Sequence, residues 1–356
     1  MPGLDKKILD LIDPKKVIDR IKIDIRTDFI LAPHHNAIFI NAGSELWGRV
    51  QEILKSRQYQ PELPHTISVP KERGFTRPGS ILGPVDRFVY QALIDIASPT
   101  LEAQLDRERT FSHVLSNDPN SMFEPAHESW SRFQAKIGSL CTSAGYTVKA
   151  DIANYFERIP QHHLVNLMSA AKCPSEVVNL LEKMLLAFQE RDLFGIIQGA
   201  FPSDVLGNFF RSEFDGYCDI HEIPSVRYVD DMYLCYASEV DAQRGLIELI
   251  ERLRKDGLHL NEYKSGIRTT HEVLREETEV DVLFEEARAI AALFAAKHGS
   301  PTQKRTVRLA YESEPSVFVR SAILYASRYF TRAERKTCKK AWGAPNLVNA
   351  LISQAL

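Results

Sequence analysis

The sequence predicts an α+β fold in which an antiparallel sheet packs on helices and gives way to an all-helical C-terminal region. Three stretches carry that expectation. Val226-Arg227-Tyr228-Val229-Asp230-Asp231-Met232-Tyr233-Leu234-Cys235-Tyr236 reads as strand, tight turn, strand, because β-branched and aromatic residues flank two adjacent acids. Thr147-Val148-Lys149-Ala150-Asp151 reads as a short apolar strand that delivers an Asp at its end. From residue 270 onward the pattern becomes helical throughout, over 272–286, 286–297, 301–311, 315–330, 332–342 and 344–354, with Pro301, Pro315 and Pro345 at expected helix starts.

Taken in order, Leu4, Ile8, Leu11, Ile12 and Val17 fall at near-helical spacing, broken at Asp13-Pro14, and predict two short helical pieces. Ser44 before Leu46, Trp47, Val50, Ile53 and Leu54 predicts an N-capped helix. Residues 66–78 alternate as a strand that turns at Gly74 into a second strand. On such a hairpin Lys71, Arg73 and Arg77 fall close together, able to grip a triphosphate or simply to guard a solvated edge. Pro84 opens a helix, a polar loop with Asn117, Asp118 and Pro119 follows, and a helix is expected around 126–140. Two aromatics, Tyr155 and Phe156, come directly after the Asp151 strand, and helices are expected at 161–171 and 174–190. Gln198-Gly199 is a flexible turn before a Pro202-Ser203 helix start, and the helix should reach Phe214. After the Asp-Asp hairpin come a helix over 239–256 ending at Gly257, and a strand, Leu258 to Lys264, leading to a lone Lys.

Composition bounds the function less than the motifs do. The 356 residues are 44% hydrophobic and 26% charged, ordinary for a soluble globular protein of roughly two domains. With no run near a membrane span and no signal-peptide core, a cytoplasmic protein is expected. The five cysteines have no paired spacing, which points to reduced, mostly buried thiols. A net charge of −3 argues mildly against nucleic acid held by a global field, so any such partner must meet local basic patches, such as the segment from Lys304 to Lys340.

Adjacent carboxylates at a hairpin tip repel each other, and a cation of higher charge such as Mg²⁺ makes the arrangement tolerable. Asp151 and the Asp230-Asp231 pair, about 80 residues apart, converge if their strands are neighbours in one antiparallel sheet. Carboxylates bridging two metal ions roughly 3.5–4 Å apart stabilise both the attacking and leaving oxygens of an in-line phosphoryl displacement. That chemistry asks for acids, a phosphate-gripping basic hairpin and a Gly turn together.

With those motifs in this order, residues 66–269 resemble a reverse transcriptase. Lys71-Glu72-Arg73-Gly74-Phe75-Thr76-Arg77-Pro78 followed by Asp86-Arg87 resembles the fingers block, which implies that Lys71, Arg73 and Arg77 contact the incoming triphosphate. Asp151 through Phe156 resembles the first catalytic block, with Asp151 and the Ile152 carbonyl as implied metal ligands. Gln198-Gly199 and Pro202-Ser203 through Asn208 resemble the block that positions template and nucleotide. Tyr228-Val229-Asp230-Asp231 matches the signature tetrapeptide, implying Asp230 as the second ligand and Asp231 as a supporting acid. Lys264 sits where the family places a Lys that assists proton donation to pyrophosphate. Phe156 stands where a bulky aromatic excludes a ribose 2′-hydroxyl, which implies deoxynucleotide substrates.

The resemblance implies right-hand fingers and palm over 66–270, an N-terminal helical support over 1–65, and an α-helical, repeat-like domain over 271–356 in place of a thumb. The primer-grip block and the retron markers are not found in the sequence. A core followed by a helical tail is similar to prokaryotic abortive-infection and defence-associated reverse transcriptases. This implies a DNA polymerase with two Mg²⁺ ions, or Mn²⁺ in their place, dNTPs, an RNA template or associated non-coding RNA, and a DNA product, with homo-oligomerisation left open. Two other readings stand beside it: a template-independent, protein-primed polymerase, and an inactive RNA-binding scaffold. Tyr311, Tyr325 and Tyr329 are the tail tyrosines, but their helical spacing reads as core.

Overall fold

The structure, a computed structural model, describes residues 4–27, 32–70, 76–118, 121–189 and 193–275. By its own contacts the chain separates into Met1–Thr270 and His271–Leu356, and the description below concerns the first unit. The helices expected beyond residue 275, the tail tyrosines, and the hairpin tip with Lys71, Arg73 and Gly74 lie outside the described residues.

Four helices open the chain: α1 (Lys6–Leu9), α2 (Pro14–Thr27), α3 (Pro33–Asn41) and α4 (Gly43–Lys55). The break at Asp13-Pro14 is where the sequence predicts it. Ser44, expected as an N-cap, instead lies inside the first turn of α4. Helix α3 runs almost directly into α4, so Ala42 serves both as the C-cap of one and the N-cap of the other. The hairpin β1 (His65–Pro70) and β2 (Thr76–Ile81) is antiparallel, with Val69 opposite Arg77.

Helix α5 (Pro84–Glu102) is the core element, with Phe88, Leu93, Ile94 and Ala97 fully buried. It packs against α2 and α4 and against two later helices, α9 (Ser175–Phe188) and α10 (Phe201–Phe210). Between them come α6 (Ala126–Ser143), β3 (Tyr146–Ala150), α7 (Tyr155–Arg158) and α8 (Gln161–Ala170). The helix expected to run to Phe214 ends at Phe210, and after Arg211 a separate helix, α11 (Ser212–Ile220), follows.

The palm sheet has the order β4-β5-β3-β6, all antiparallel, built from β4 (Ser225–Tyr228), β5 (Asp231–Tyr236), central β3 and β6 (Gly266–Thr269). Thr147, Val148 and Ala150 of β3 are all fully buried, as a central strand covered on both faces requires. Helix α12 (Glu239–Lys255) packs on β3, β5 and β6, its first turn capped by Ser238, whose hydroxyl accepts the Asp241 N–H. The strand predicted over Leu258 to Lys264 is only a one-residue bridge, Leu260 to Ile152. Asn261 folds the next residues into a turn by accepting the Tyr263 N–H, and pairing resumes in β6.

Asp86 and Arg87 anchor the fingers to the N-terminal helices. Tyr59 and the Glu62 N–H both donate to the buried Asp86 carboxylate, and Arg87 Nη2 donates to Asp24 Oδ2 of α2 at 2.9 Å. Cys141, Cys173, Cys218 and Cys235 are buried thiols, and no described helix is long and apolar enough to cross a membrane.

Candidate active site

The antiparallel register brings the predicted acids to one end of the sheet. Ala150 lies opposite Met232, so the next residues out are Asp151, just past the end of β3, and Asp231 on β5, with Asp230 one step further at the hairpin tip. The tip is a two-residue turn, Val229-Asp230, closed by the Tyr228–Asp231 pair. Val229 has φ +57°, a left-handed conformation in which a β-branched side chain is strained by about 1–3 kcal/mol. Glycine is the usual residue at the first position of such a turn. The Tyr228 ring packs edge-on to Trp130 at 5.0 Å and beside Phe133 at 5.4 Å, holding the hairpin against α6.

Burial pushes the Asp230 carboxyl up to about 7, and the charges of Asp231 and Asp151 add to the shift. Three carboxylates therefore share one electrostatic site. Asp151 is 7% exposed, and its backbone is clamped by the segment that follows α12. The Asn261 N–H donates to the Asp151 carbonyl at 2.8 Å, Ser265 Oγ accepts the Asp151 N–H at 3.0 Å, and the Ala153 N–H donates to His259 O at 2.8 Å. These bonds use the carbonyls of Asp151 and His259 and leave that of Ile152 out of the pairing. Lys264 Nζ then reaches back to Asp151 Oδ2 at 3.2 Å. Burial opposes its charge, but Asp151, Asp231 and Asp230 outweigh that and raise its pKa, so the ammonium is charged at neutral pH.

Phe156 sits in α7, just beyond the left-handed Asn154 (φ +50°). Gly207 of α10 backs its ring: a Cβ on that glycine would stand 2.9 Å from Phe156 Cε1, and the Tyr155 hydroxyl donates to the Gly207 carbonyl at 2.6 Å. Gly199 has φ +89°, as the turn before α10 needs. The first N–H of α10, on Phe201, donates to Asp24 Oδ2 at 3.2 Å, so an acid from the N-terminal α2 caps the helix of the Gln198-Gly199 block. Arg77 is half-buried on β2.

Asp151, Asp230, Asp231 and Lys264 thus come together. Among the described residues, no three His, Cys, Asp or Glu side chains form a metal-holding cluster as they stand, and the cation facing Asp151 is the Lys264 ammonium. In chemistry the donors fit a divalent metal. They are oxygen only, which suits a hard cation such as Mg²⁺ or Mn²⁺, and their mutual repulsion is what such a charge relieves. The sequence reading missed Asp24, Ser112 and Arg227 as supporting residues, and it placed Asn208 in the template-positioning block without its link to Arg227. Arg227 had a visible signal, a lone charge in an otherwise apolar strand beside Tyr228.

A family model described as reverse transcriptase (RNA-dependent DNA polymerase) matches residues 69–293. No curated protein sequence matches the chain. Among solved structures the chain is similar to apo telomerase from Candida tropicalis, at 13% identity and a TM-score of 0.43 over 63% of this chain and 49% of that one. It is also similar to telomerase from Candida albicans in complex with a TWJ fragment of telomeric RNA. There the identity is 12% and the TM-score 0.44, over 83% of this chain and 64% of that one. The chain spans about half to just under two thirds of the length of these two proteins.

Proposed function

The chain belongs to the reverse transcriptase (RNA-dependent DNA polymerase) family, and we propose that it extends DNA from dNTPs on an RNA template by two-metal nucleotidyl transfer. One observation carries the reading: Asp151, Asp231 and the desolvated Asp230 converge at the end of neighbouring antiparallel strands, with Lys264 against them.

In this proposal Asp151, Asp230, Asp231 and the Ile152 carbonyl would hold two Mg²⁺ ions. When bound, the metal supplies charge to both the attacking and the leaving oxygens. Lys264, charged and hydrogen-bonded to Asp151, is positioned to deliver a proton to the departing pyrophosphate. Lys71, Arg73 and Arg77 grip the triphosphate, and Gln198 and Gly199 support the paired base. Phe156, backed by Gly207, presses on the sugar so that a 2′-hydroxyl has no room. We further propose that the protein acts in the cytoplasm in antiviral defence with an associated RNA, a reading that rests on the resemblance of its domain order.

The test is to purify the protein with its bound nucleic acid, supply labelled dNTPs and Mg²⁺, and sequence the product with and without prior ribonuclease treatment. A DNA complementary to the bound RNA, lost after ribonuclease, supports templated synthesis. Equal synthesis without RNA replaces it with template-independent transfer, and no synthesis under any condition returns the chain to an RNA-binding scaffold.

A further inference from the structure

Arg227 is 1% exposed in β4, a costly place for a charge unless every donor is used. Its Nε donates to Asp215 Oδ1 at 2.9 Å and its Nη2 to Asp215 Oδ2 at 2.7 Å. Thr110 adds a further hydrogen bond to the same carboxylate at 2.9 Å. The remaining guanidinium donors turn to Asn208 of α10: Nη1 to its side-chain Oδ1 at 2.7 Å and Nη2 to its carbonyl at 2.9 Å. Nη1 also lies 3.4 Å from the Val229 carbonyl.

From there the hydrogen bonds have one direction. A guanidinium can only donate, so the Asn208 atom facing it must be the oxygen, and the amide cannot be turned over. Asn208 Nδ2 donates to the Ser112 carbonyl at 2.8 Å, and the Ser112 hydroxyl donates to Asn208 Oδ1 at 3.1 Å. With its only proton committed, Ser112 Oγ presents a lone pair, and the Val229 N–H donates to it at 3.0 Å. Ser112 and Asn208 are at most 1% exposed, so water does not replace these bonds. The chain of bonds ends on the one residue of the hairpin tip that is held in a strained left-handed conformation, immediately before Asp230.

We infer that Ser112, fixed by Asn208 and Arg227, is a positioning residue for nucleotidyl transfer: it holds Val229 at positive φ and thereby sets where Asp230 stands. The inference rests on the polymerase reading above. Without this acceptor the turn relaxes toward negative φ, where a β-branched residue prefers to be, and the Asp230 carboxylate swings away from Asp151.

A double-mutant cycle tests this. Ser112→Ala should lower the incorporation rate at saturating dNTP about tenfold and raise the Mg²⁺ concentration for half-maximal rate several-fold, with dNTP KM changed less than about twofold. Glycine takes positive φ without help, so in a Val229→Gly background the same Ser112→Ala change should cost about twofold or less. Amide hydrogen exchange over 226–233 should speed up in Ser112→Ala, while exchange over 146–150 stays as in the parent. An equal loss of rate in both backgrounds overturns the inference, as does exchange that rises uniformly across the sheet. If the parent protein incorporates no dNTP, the polymerase reading falls, and the exchange comparison alone still decides whether Ser112 holds the turn.

Discussion

Lys264 Nζ stands 3.2 Å from Asp151 Oδ2, an ammonium 66% exposed against a carboxylate side chain 10% exposed. An ion pair with one partner so open to solvent contributes about 0–1 kcal/mol to stability. Its weight lies elsewhere: the ammonium takes a carboxylate oxygen of Asp151 for which a divalent metal would compete. Lys264→Met should therefore leave the unfolding midpoint unchanged, lower the Mg²⁺ concentration for half-maximal rate, and cut the maximal rate about a hundredfold through loss of the proton donor. Steady-state incorporation measured across a Mg²⁺ series separates the two effects.

The Phe156 ring edge fills the space that a Cβ on Gly207 would take, so the ring is seated against α10 at a position where only glycine fits. If Phe156 excludes the 2′-hydroxyl as proposed, Phe156→Val opens that space. The preference for dNTP over rNTP, read as a ratio of kcat/KM values, should fall by about 10–100-fold, chiefly through faster rNTP incorporation.

Asp204 is pushed up to about 7 by burial, and its side chain keeps 21% exposure, which moderates the penalty. His113 Nε2 at 3.8 Å does not offset it, because burial together with Arg107 and Arg227 holds that imidazole down to about 4. A carboxyl with its folded pKa raised adds stability at low pH that is lost as pH rises from about 4 through 7. Asp204→Asn is neutral at every pH. It should match the parent at pH 4.5 and exceed it at pH 8.5 by ~1 kcal/mol, or about 2–4 °C in Tm, as thermal unfolding at the two pH values checks.

Asp24 joins α2 to Arg87 and to the first N–H of α10, and it is 2% exposed. Asp24→Ala takes this carboxylate from a guanidinium that keeps 13% exposure and from the first N–H of α10, and should cost about 3 kcal/mol. Denaturant unfolding monitored by circular dichroism reads the loss.

Much of the site was legible in the sequence because its strands announce themselves. The β-branched and aromatic residues around Asp230-Asp231 and the apolar run into Asp151 marked two strands, and their pairing as antiparallel neighbours brings the acids to one end of the sheet. Other features were not legible. The Ser44 cap failed because local preference is overridden when one helix runs into the next. The strand over 258–264 failed because Asn261 prefers to close a turn on its own side chain. Ser112 gave no signal, since a serine in a polar loop looks the same whether it faces water or a buried N–H. Asp24 carries no motif, and only its reach to α5 and α10 distinguishes it.

The central claim is that Asp151 and Asp230 form the catalytic centre of a DNA polymerase. The most direct measurement is incorporation of labelled dNTPs by the purified protein with Mg²⁺, comparing the parent with Asp151→Asn, Asp230→Asn and the double variant, each checked for native circular dichroism. Loss of incorporation in all three folded variants is the predicted result. Incorporation that persists in the folded double variant contradicts the account.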